Sequence, residues 1–183
     1  MTANQIIKKA EEIKKEYETE NPFELGKELG INIEFCSMGN RETSIKGFYV
    51  KDLNVIVINS DLSEREQQII CYHEIGHYIC NCEEPIYFFP RTEILGRRIC
   101  ENEANFFATE FMLSDEDVLS RLKEGYTIYT IALELCVPVE FLLLKLHLLK
   151  NKGYKIEIPI DTPNAKFLNK INENFTKDVS WDC

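Results

Sequence analysis

Positive charge is scarce in this sequence. Its 183 residues contain 21 Lys and Arg against 31 Asp and Glu, which gives a formal net charge of -10 at pH 7. This balance opposes nonspecific binding to nucleic acid and to anionic lipid surfaces. We therefore expect no direct nucleic-acid partner and no membrane partner.

The sequence also lacks a long uninterrupted apolar run. The most apolar stretch covers residues 131–149, but Glu134, Pro138, Glu140 and Lys145 interrupt it. A membrane-spanning helix needs about 20 predominantly apolar residues. The stretch therefore predicts two core helices rather than a membrane span.

The cysteines show no disulfide-scaffold spacing. Residues 1–17 predict a charged amphipathic helix without the apolar segment of a signal peptide, so we expect a reducing cytoplasm. Cys80 and Cys82 are alternative metal ligands, but Cys-x-Cys is an uncommon spacing in structural zinc sites. Buried thiols are usually small apolar residues instead. The seven cysteines are Cys36, Cys71, Cys80, Cys82, Cys100, Cys136 and Cys183.

Histidine is scarce as well, and two of the three histidines stand four residues apart around a glutamate. In an α-helix, residues i and i+4 share one face, so both imidazoles can reach one metal ion. His73 and His77 are therefore predicted metal ligands, with Zn²⁺ as the expected ion. Glu74 is the predicted catalytic residue, because a carboxylate beside the metal can take a proton from water and give it to a leaving amine.

The residues around this motif predict a buried helix. Ser63 and Glu66 form a capping box at its start, and no proline follows before Cys80. Apolar residues surround most of the second half, which is typical of a buried helix. Two histidines and a glutamate inside such a helix are costly unless something pairs them, and metal binding is the simplest pairing.

A catalytic zinc ion usually has three protein ligands, so a third is needed. The next predicted helix, residues 97–113, offers Glu101, Glu103 and Glu110. Helical projection places Glu101 on a face with Asn105 and two alanines, where another helix can approach closely. Glu101 is therefore the favoured ligand, and Asn105 is the favoured hydrogen-bonding neighbour of the site. Glu103 is the alternative ligand, although Glu103 and Glu110 read more simply as a solvated edge, and a site with no ligand here stays open.

At these motifs the chain resembles the ImmA/IrrE-type zinc metallopeptidases. Their pattern is H-E-[LI]-G-H followed by E-x-[EQ]-A-[NS]-x-F-A, and this sequence has HEIGH at 73–77 and ENEANFFATEFML at 101–113. The chain departs from many relatives at Ser114 and Asp115, where they have proline. The resemblance also includes residues 21–23, 29–31, 46–49 and 137–138.

The resemblance implies a gluzincin-like peptidase with zinc on His73, His77 and Glu101. In the family pattern the first glutamate of the second motif is the steadier one, which agrees with Glu101. ImmA-type relatives are found on phages and mobile elements, where they inactivate a helix-turn-helix repressor by cutting it. The implied partner is therefore a repressor-type DNA-binding regulator as protein substrate.

The expected fold class is α+β, with a mostly helical zincin-like core, a small three-stranded sheet and a C-terminal helix-turn-helix-like unit. We expect a metallopeptidase domain at 1–125, a helical extension packed on it at 126–160, and a tail at 161–183. The predicted strands at 47–51 and 55–59 form a hairpin, which can bind an extended peptide or be purely structural. The remaining predicted elements are helices at 2–17 and 23–29, strands at 31–35, 47–51, 55–59 and 154–160, and a long loop at 81–96.

Residues 127–150 predict helix, turn and helix. The second helix is leucine-rich, and between Phe141 and Leu149 only Lys145 and His147 are polar, so it lacks the basic exposed face of a DNA-reading helix. This favours a core or partner-docking element. His147 is an alternative stabiliser of the oxyanion, but a lone histidine on such a helix is more often surface or core filler.

The leading hypothesis is a cytoplasmic zinc-dependent endopeptidase that cleaves a specific protein. A second hypothesis is a zinc-binding sensor or regulator that acts by partner binding without efficient proteolysis, but the intact Glu74 argues against it. A third is a transcription factor acting through residues 126–150, which the net charge opposes.

Overall fold

Helices dominate the structure, a computed structural model that describes residues 1–39, 44–81 and 95–156. The predicted α+β class with a small three-stranded sheet is confirmed. The helices are α1 (Ala3–Tyr17), α2 (Pro22–Glu28), α3 (Glu64–Ile79), α4 (Leu95–Met112), α5 (Asp115–Lys123), α6 (Ile128–Glu134) and α7 (Val139–Asn151), and the strands are β1 (Asn32–Cys36), β2 (Gly47–Val50) and β3 (Val55–Asn59).

Polar side chains cap the starts of five of the described helices. Thr2 and Ser63 start α1 and α3 with capping boxes, in which the side chain accepts from the third backbone N–H of the helix. Asn21 caps α2, and Thr127 caps α6. At the departure from the family pattern, the Ser114 side chain caps α5 instead of a proline starting the turn.

The sheet has the strand order β1-β3-β2, with β1 parallel and β2 antiparallel to β3. A short 3₁₀ turn at Lys51–Leu53 and Asn54 in the left-handed conformation (φ 50°) connect β2 to β3. The predicted hairpin is therefore confirmed. Its outer strand, β2, is an edge strand that packs against α3.

Two clusters of buried side chains form the core. The first joins α1, α2, the sheet, α3 and α4, and the second joins α5, α6 and α7. Helix α7 also adds Leu144 and Leu148 to the first cluster, and its Lys145 is fully buried. The prediction that α7 is a core element is therefore confirmed.

Some predicted bounds differ or fall outside the described residues. Helix α4 begins at Leu95, two residues before the predicted start. Residues 154–156 show no strand, and the rest of the strand predicted at 154–160 lies outside the described residues. The tail at 161–183 and most of the loop at 81–96 lie outside them as well. Across the described ranges, no helix is both long and apolar enough to cross a membrane.

Candidate metal centre

Gly76 brings α3 and α4 together within the H-E-x-x-H motif. A Cβ atom at this position would lie 2.7 Å from Ala104 Cα and 2.8 Å from Ala104 O, so only glycine fits without a backbone shift. We call this α3–α4 interface the seam. Along it His73 contacts Asn105, Gly76 contacts Ala104, and His77 contacts Glu101. Residue numbers rise on one helix as they fall on the other, so the two helices run antiparallel.

The seam brings three predicted metal ligands together. One ligand atom from each of His73, His77 and Glu101 lies within 4.8 Å of the others. The two Nε2 atoms are 3.1 Å apart, and they lie 3.4 Å (His73) and 3.8 Å (His77) from Glu101 oxygens. A tetrahedral zinc ion with ordinary bond lengths separates its ligand atoms by about 3.3–3.6 Å. Two imidazoles and a carboxylate at these distances fit such an ion.

Asn105 sets the orientation of the first histidine. His73 Nδ1 lies 3.0 Å from Asn105 Oδ1, and an amide oxygen can only accept a hydrogen bond. With the amide in this orientation Nδ1 donates the hydrogen bond, which leaves Nε2 directed toward His77 and Glu101. A hydrogen bond of this kind fixes both the tautomer and the ring plane of a metal-binding histidine.

The centre favours positive charge. Burial by itself would lower the pKa of His73, but the Glu101 and Glu74 carboxylates reverse this effect, and the net shift is upward. Surroundings that stabilise an imidazolium also stabilise a cation held between the same groups. The charge distribution of the site is therefore compatible with a cation between His73, His77 and Glu101.

Glu74 lies next to the three ligands and is almost completely buried. Burial raises the pKa of its carboxyl group to about 7, while His73 and a hydrogen bond from the Tyr49 backbone N–H oppose part of that rise. A carboxyl group with a pKa near neutrality can both accept and release a proton at neutral pH.

Among the described residues β2 is an edge strand of the sheet, and its outer side runs beside Glu74. The backbone N–H of Asn59 donates to Lys46 O, so the register makes Gly47 and Tyr49 the residues whose backbone groups point away from β3. The hydrogen bond from Tyr49 N–H to the Glu74 carboxyl group agrees with this direction. Gly47 lies close to α3, since a Cβ there would be 2.4 Å from Ile70 Cγ2 and 3.9 Å from Glu74 Cγ.

Comparison with known proteins assigns the family. The family described as IrrE N-terminal-like domain, Peptidase M78, matches residues 27–147, which include all the site residues described above. The chain belongs to this family. The Peptidase M78 match confirms the resemblance seen in the sequence and makes the chain a protein of the metallopeptidase kind.

A curated relative adds to this assignment. "Uncharacterized immunity region protein 2" of Bacillus phage phi105 is 35% identical over 133 residues, which are 72% of this chain and 82% of the relative. The aligned length is large enough to hold the domain that carries the Peptidase M78 match.

The other two glutamates of α4 are not where the sequence placed them. The expected solvated edge is wrong, since the Glu103 and Glu110 side chains are 9% and 5% exposed while the Glu101 side chain is 43% exposed. The Glu103 carboxylate contacts the N-terminal amine of Met1, and Glu110 contacts Lys145 and Lys152. The cause is packing, because α1 and α7 also pack against α4.

In the part of the chain that the structure describes, the third histidine and the cysteines are not members of the three-ligand group. His147 stacks on Phe106, with ring centroids 6.0 Å apart, and burial lowers its pKa. Cys80 is a free thiol whose pKa burial raises to about 11, and Cys82 lies outside the described residues.

Sequence reasoning missed the roles of the Gly47 and Tyr49 backbone groups. The family pattern had marked residues 46–49, but no side-chain pattern reveals which backbone groups face the site.

Proposed function

We propose that this protein is a zinc-dependent endopeptidase in which His73, His77 and Glu101 hold Zn²⁺. The observation that carries the proposal is the convergence of these three ligand atoms beside the buried carboxyl group of Glu74. Two nitrogen ligands and one oxygen ligand suit zinc. When bound there, zinc supplies Lewis-acid chemistry, which polarises a carbonyl and lowers the pKa of water.

Glu74 is the proposed general base and acid. Its carboxylate takes a proton from the attacking water and later gives it to the amine that leaves the cleaved peptide bond. The backbone N–H of Tyr49 and the buried position restrict the orientation of the carboxyl group. A structural metal site has no need of a carboxyl group held in this way.

The β2 edge is the proposed place for the substrate backbone. The Gly47 backbone groups and the Tyr49 carbonyl point outward from this edge, where an extended peptide can add as a further strand, while the Tyr49 N–H stays with Glu74. A peptide bound there would run past Glu74, because the Tyr49 N–H already reaches that side chain. The substrate segment must therefore be extended where it is cut.

We propose that the substrate is a helix-turn-helix repressor and that cleavage takes place in the cytoplasm. The name of the phage relative places that protein in an immunity region, and the family resemblance implies repressor cleavage. The net charge of -10 is also complementary to the basic surface of a DNA-binding protein.

Glu74→Gln tests the function directly. Its amide keeps the size of the side chain but cannot accept the proton, so we expect cleavage to fall by about 10²–10⁴-fold while zinc stays bound. The measurement is cleavage of the purified repressor-like product of a neighbouring gene, with metal content determined on the same samples.

Glu64→Gln is the matched control, since Glu64 is an exposed glutamate on the same helix, and it should cleave like the wild type. Chelation of the metal should stop cleavage by the wild type and by Glu64→Gln. Undiminished cleavage by Glu74→Gln or by chelated protein would contradict the proposal. A zinc-loaded wild type that binds the repressor without cutting it would favour the regulatory alternative.

A further inference from the structure

The α3–α4 seam continues beyond the metal ligands to a pair of cysteines. Cys80 follows Gly76 by one helical turn, and Cys100 precedes Ala104 by one turn. Because the helices are antiparallel and Gly76 touches Ala104, one turn further along places Cys80 opposite Cys100. Two observed pairs follow the same register. His73–Asn105 lies on the far side of the Gly76–Ala104 contact, and His77–Glu101 lies on the side toward Cys80 and Cys100.

The backbones are close enough there for a disulfide. The Cβ distance at Gly76 puts its Cα within about 4.2 Å of Ala104 Cα. At ordinary helix crossing angles, one further turn opens that separation to about 5–7 Å. Disulfides join Cα atoms roughly 4.4–6.8 Å apart.

The two thiols are free and reachable. Both are half-buried rather than fully enclosed, so a small oxidant can contact them. Cys100 also contributes, after burial, to the raised pKa of Cys80, which agrees with the proximity of the two side chains. Of the other cysteines in the described residues, Cys71 lies on α3 but is buried more than two turns before Cys80, Cys36 ends β1, and Cys136 follows α6.

We propose that Cys80 and Cys100 form a disulfide site that joins α3 to α4 one turn from the metal ligands. The oxidant is a small disulfide such as oxidised glutathione. One cysteine thiolate attacks its S–S bond and releases one glutathione thiolate. The second cysteine then attacks the mixed disulfide, forms the Cys80–Cys100 bond and releases the second glutathione, so two thiols are oxidised and one disulfide is reduced.

The bridge would hold the metal-binding seam together. Cys100 precedes Glu101 directly, and Cys80 follows His77 by three residues, so a bond between them fixes the spacing of the two ligand-bearing helices. It also closes a loop over residues 81–99, which restricts the unfolded chain. In a reducing compartment the thiols persist, and the bridge forms only under oxidising conditions. The bridge does not depend on peptidase activity.

The test uses the full chain incubated with oxidised glutathione. After free thiols are alkylated, non-reducing proteolysis and mass spectrometry should find the peptide of Cys80 joined to that of Cys100. The melting temperature should rise by about 5–10 °C and return to its starting value with dithiothreitol.

Cys80→Ser and Cys100→Ser should each abolish both effects, whereas Cys82→Ser and Cys136→Ser should leave them intact. Each serine replaces a single sulfur, and the two variants on different helices guard against a folding defect in one of them. Bridging of Cys80 to another cysteine, full alkylation of both thiols after oxidation, or an unchanged melting temperature would overturn the proposal.

Discussion

Glu101 and Glu110 lie on the same helix, α4, but in different electrostatic surroundings. Glu101 faces two imidazoles, with its side chain partly exposed. Glu110 is nearly inaccessible and faces two ammonium groups, with Lys145 Nζ 2.9 Å from its Oε2. Asp115 completes the second cluster, where Lys145 Nζ lies 2.6 Å from its Oδ1.

The comparison shows that the partners of a carboxylate indicate its role better than its degree of burial does. Around Glu110 the protein supplies the compensating charge itself. Burial would raise the pKa of Asp115, but Lys145 and Lys152 lower it overall, and the same contacts raise the pKa of Lys152. Around Glu101 the partners are histidines, which are neutral when they bind a metal. In the proposed metal centre, the compensating charge would come from the bound cation.

Removal of the carboxylate from the lysine cluster should have the largest effect. Glu110→Ala removes one of the two carboxylates that contact the fully buried Lys145 among the described residues, so we expect the free energy of unfolding to fall by about 3–5 kcal/mol. The measurement is urea denaturation followed by circular dichroism. Zinc affinity, measured below the unfolding transition, should stay within about threefold of the wild type.

Glu116→Ala is the control for Glu110→Ala, because Glu116 is an exposed glutamate on the neighbouring helix α5. It should change the free energy of unfolding by no more than about 0.5 kcal/mol. Equal effects of the two substitutions would remove the distinction between a buried ion pair and a surface charge.

Glu101→Gln should have the opposite effects to Glu110→Ala: a large loss of zinc affinity and a small change in the free energy of unfolding. The amide is a poorer zinc ligand than a carboxylate, so zinc affinity should fall by about 100-fold or more. The unfolding free energy of the metal-free protein should fall much less than in Glu110→Ala, because the Glu101 side chain is 43% exposed whereas that of Glu110 is 5% exposed. Competition with a chromogenic chelator measures the affinity. Wild-type affinity in Glu101→Gln would place the third ligand elsewhere.

Substitutions at Asn105 test whether the orientation of His73 affects zinc affinity. Asn105→Ala removes the acceptor for His73 Nδ1–H and should weaken zinc binding by about tenfold. Asn105→Asp keeps an acceptor at the same position and should bind zinc at least as tightly as the wild type. If both variants bind zinc equally weakly, Asn105 matters for packing rather than for the orientation of His73.

Local patterns were enough to predict much of this architecture. The capping residues Thr2 and Ser63, the H-E-x-x-H spacing and the alternation in β3 each act within a few residues, so the elements that carry them were predictable. The choice of Glu101 over Glu103 followed from helical projection, because only one face of α4 carries small residues that admit α3.

The errors came from contacts between distant elements. Projection separates the two faces of α4 but cannot tell that α1 and α7 cover the second face, so Glu103 and Glu110 were wrongly expected at the surface. The pairing of Glu110 with Lys145 joins residues far apart in the chain. The backbone groups of β2 were invisible for the same reason, since their direction depends on the register with β3.

The most direct test of this account is the zinc content of protein purified without added metal or chelator. Elemental analysis by mass spectrometry should find about one zinc ion per chain in the wild type and in Glu110→Gln, and almost none in His77→Asn. Absence of a stoichiometric metal in the wild type, or equal zinc in His77→Asn, would contradict the claim that His73, His77 and Glu101 form a metal centre.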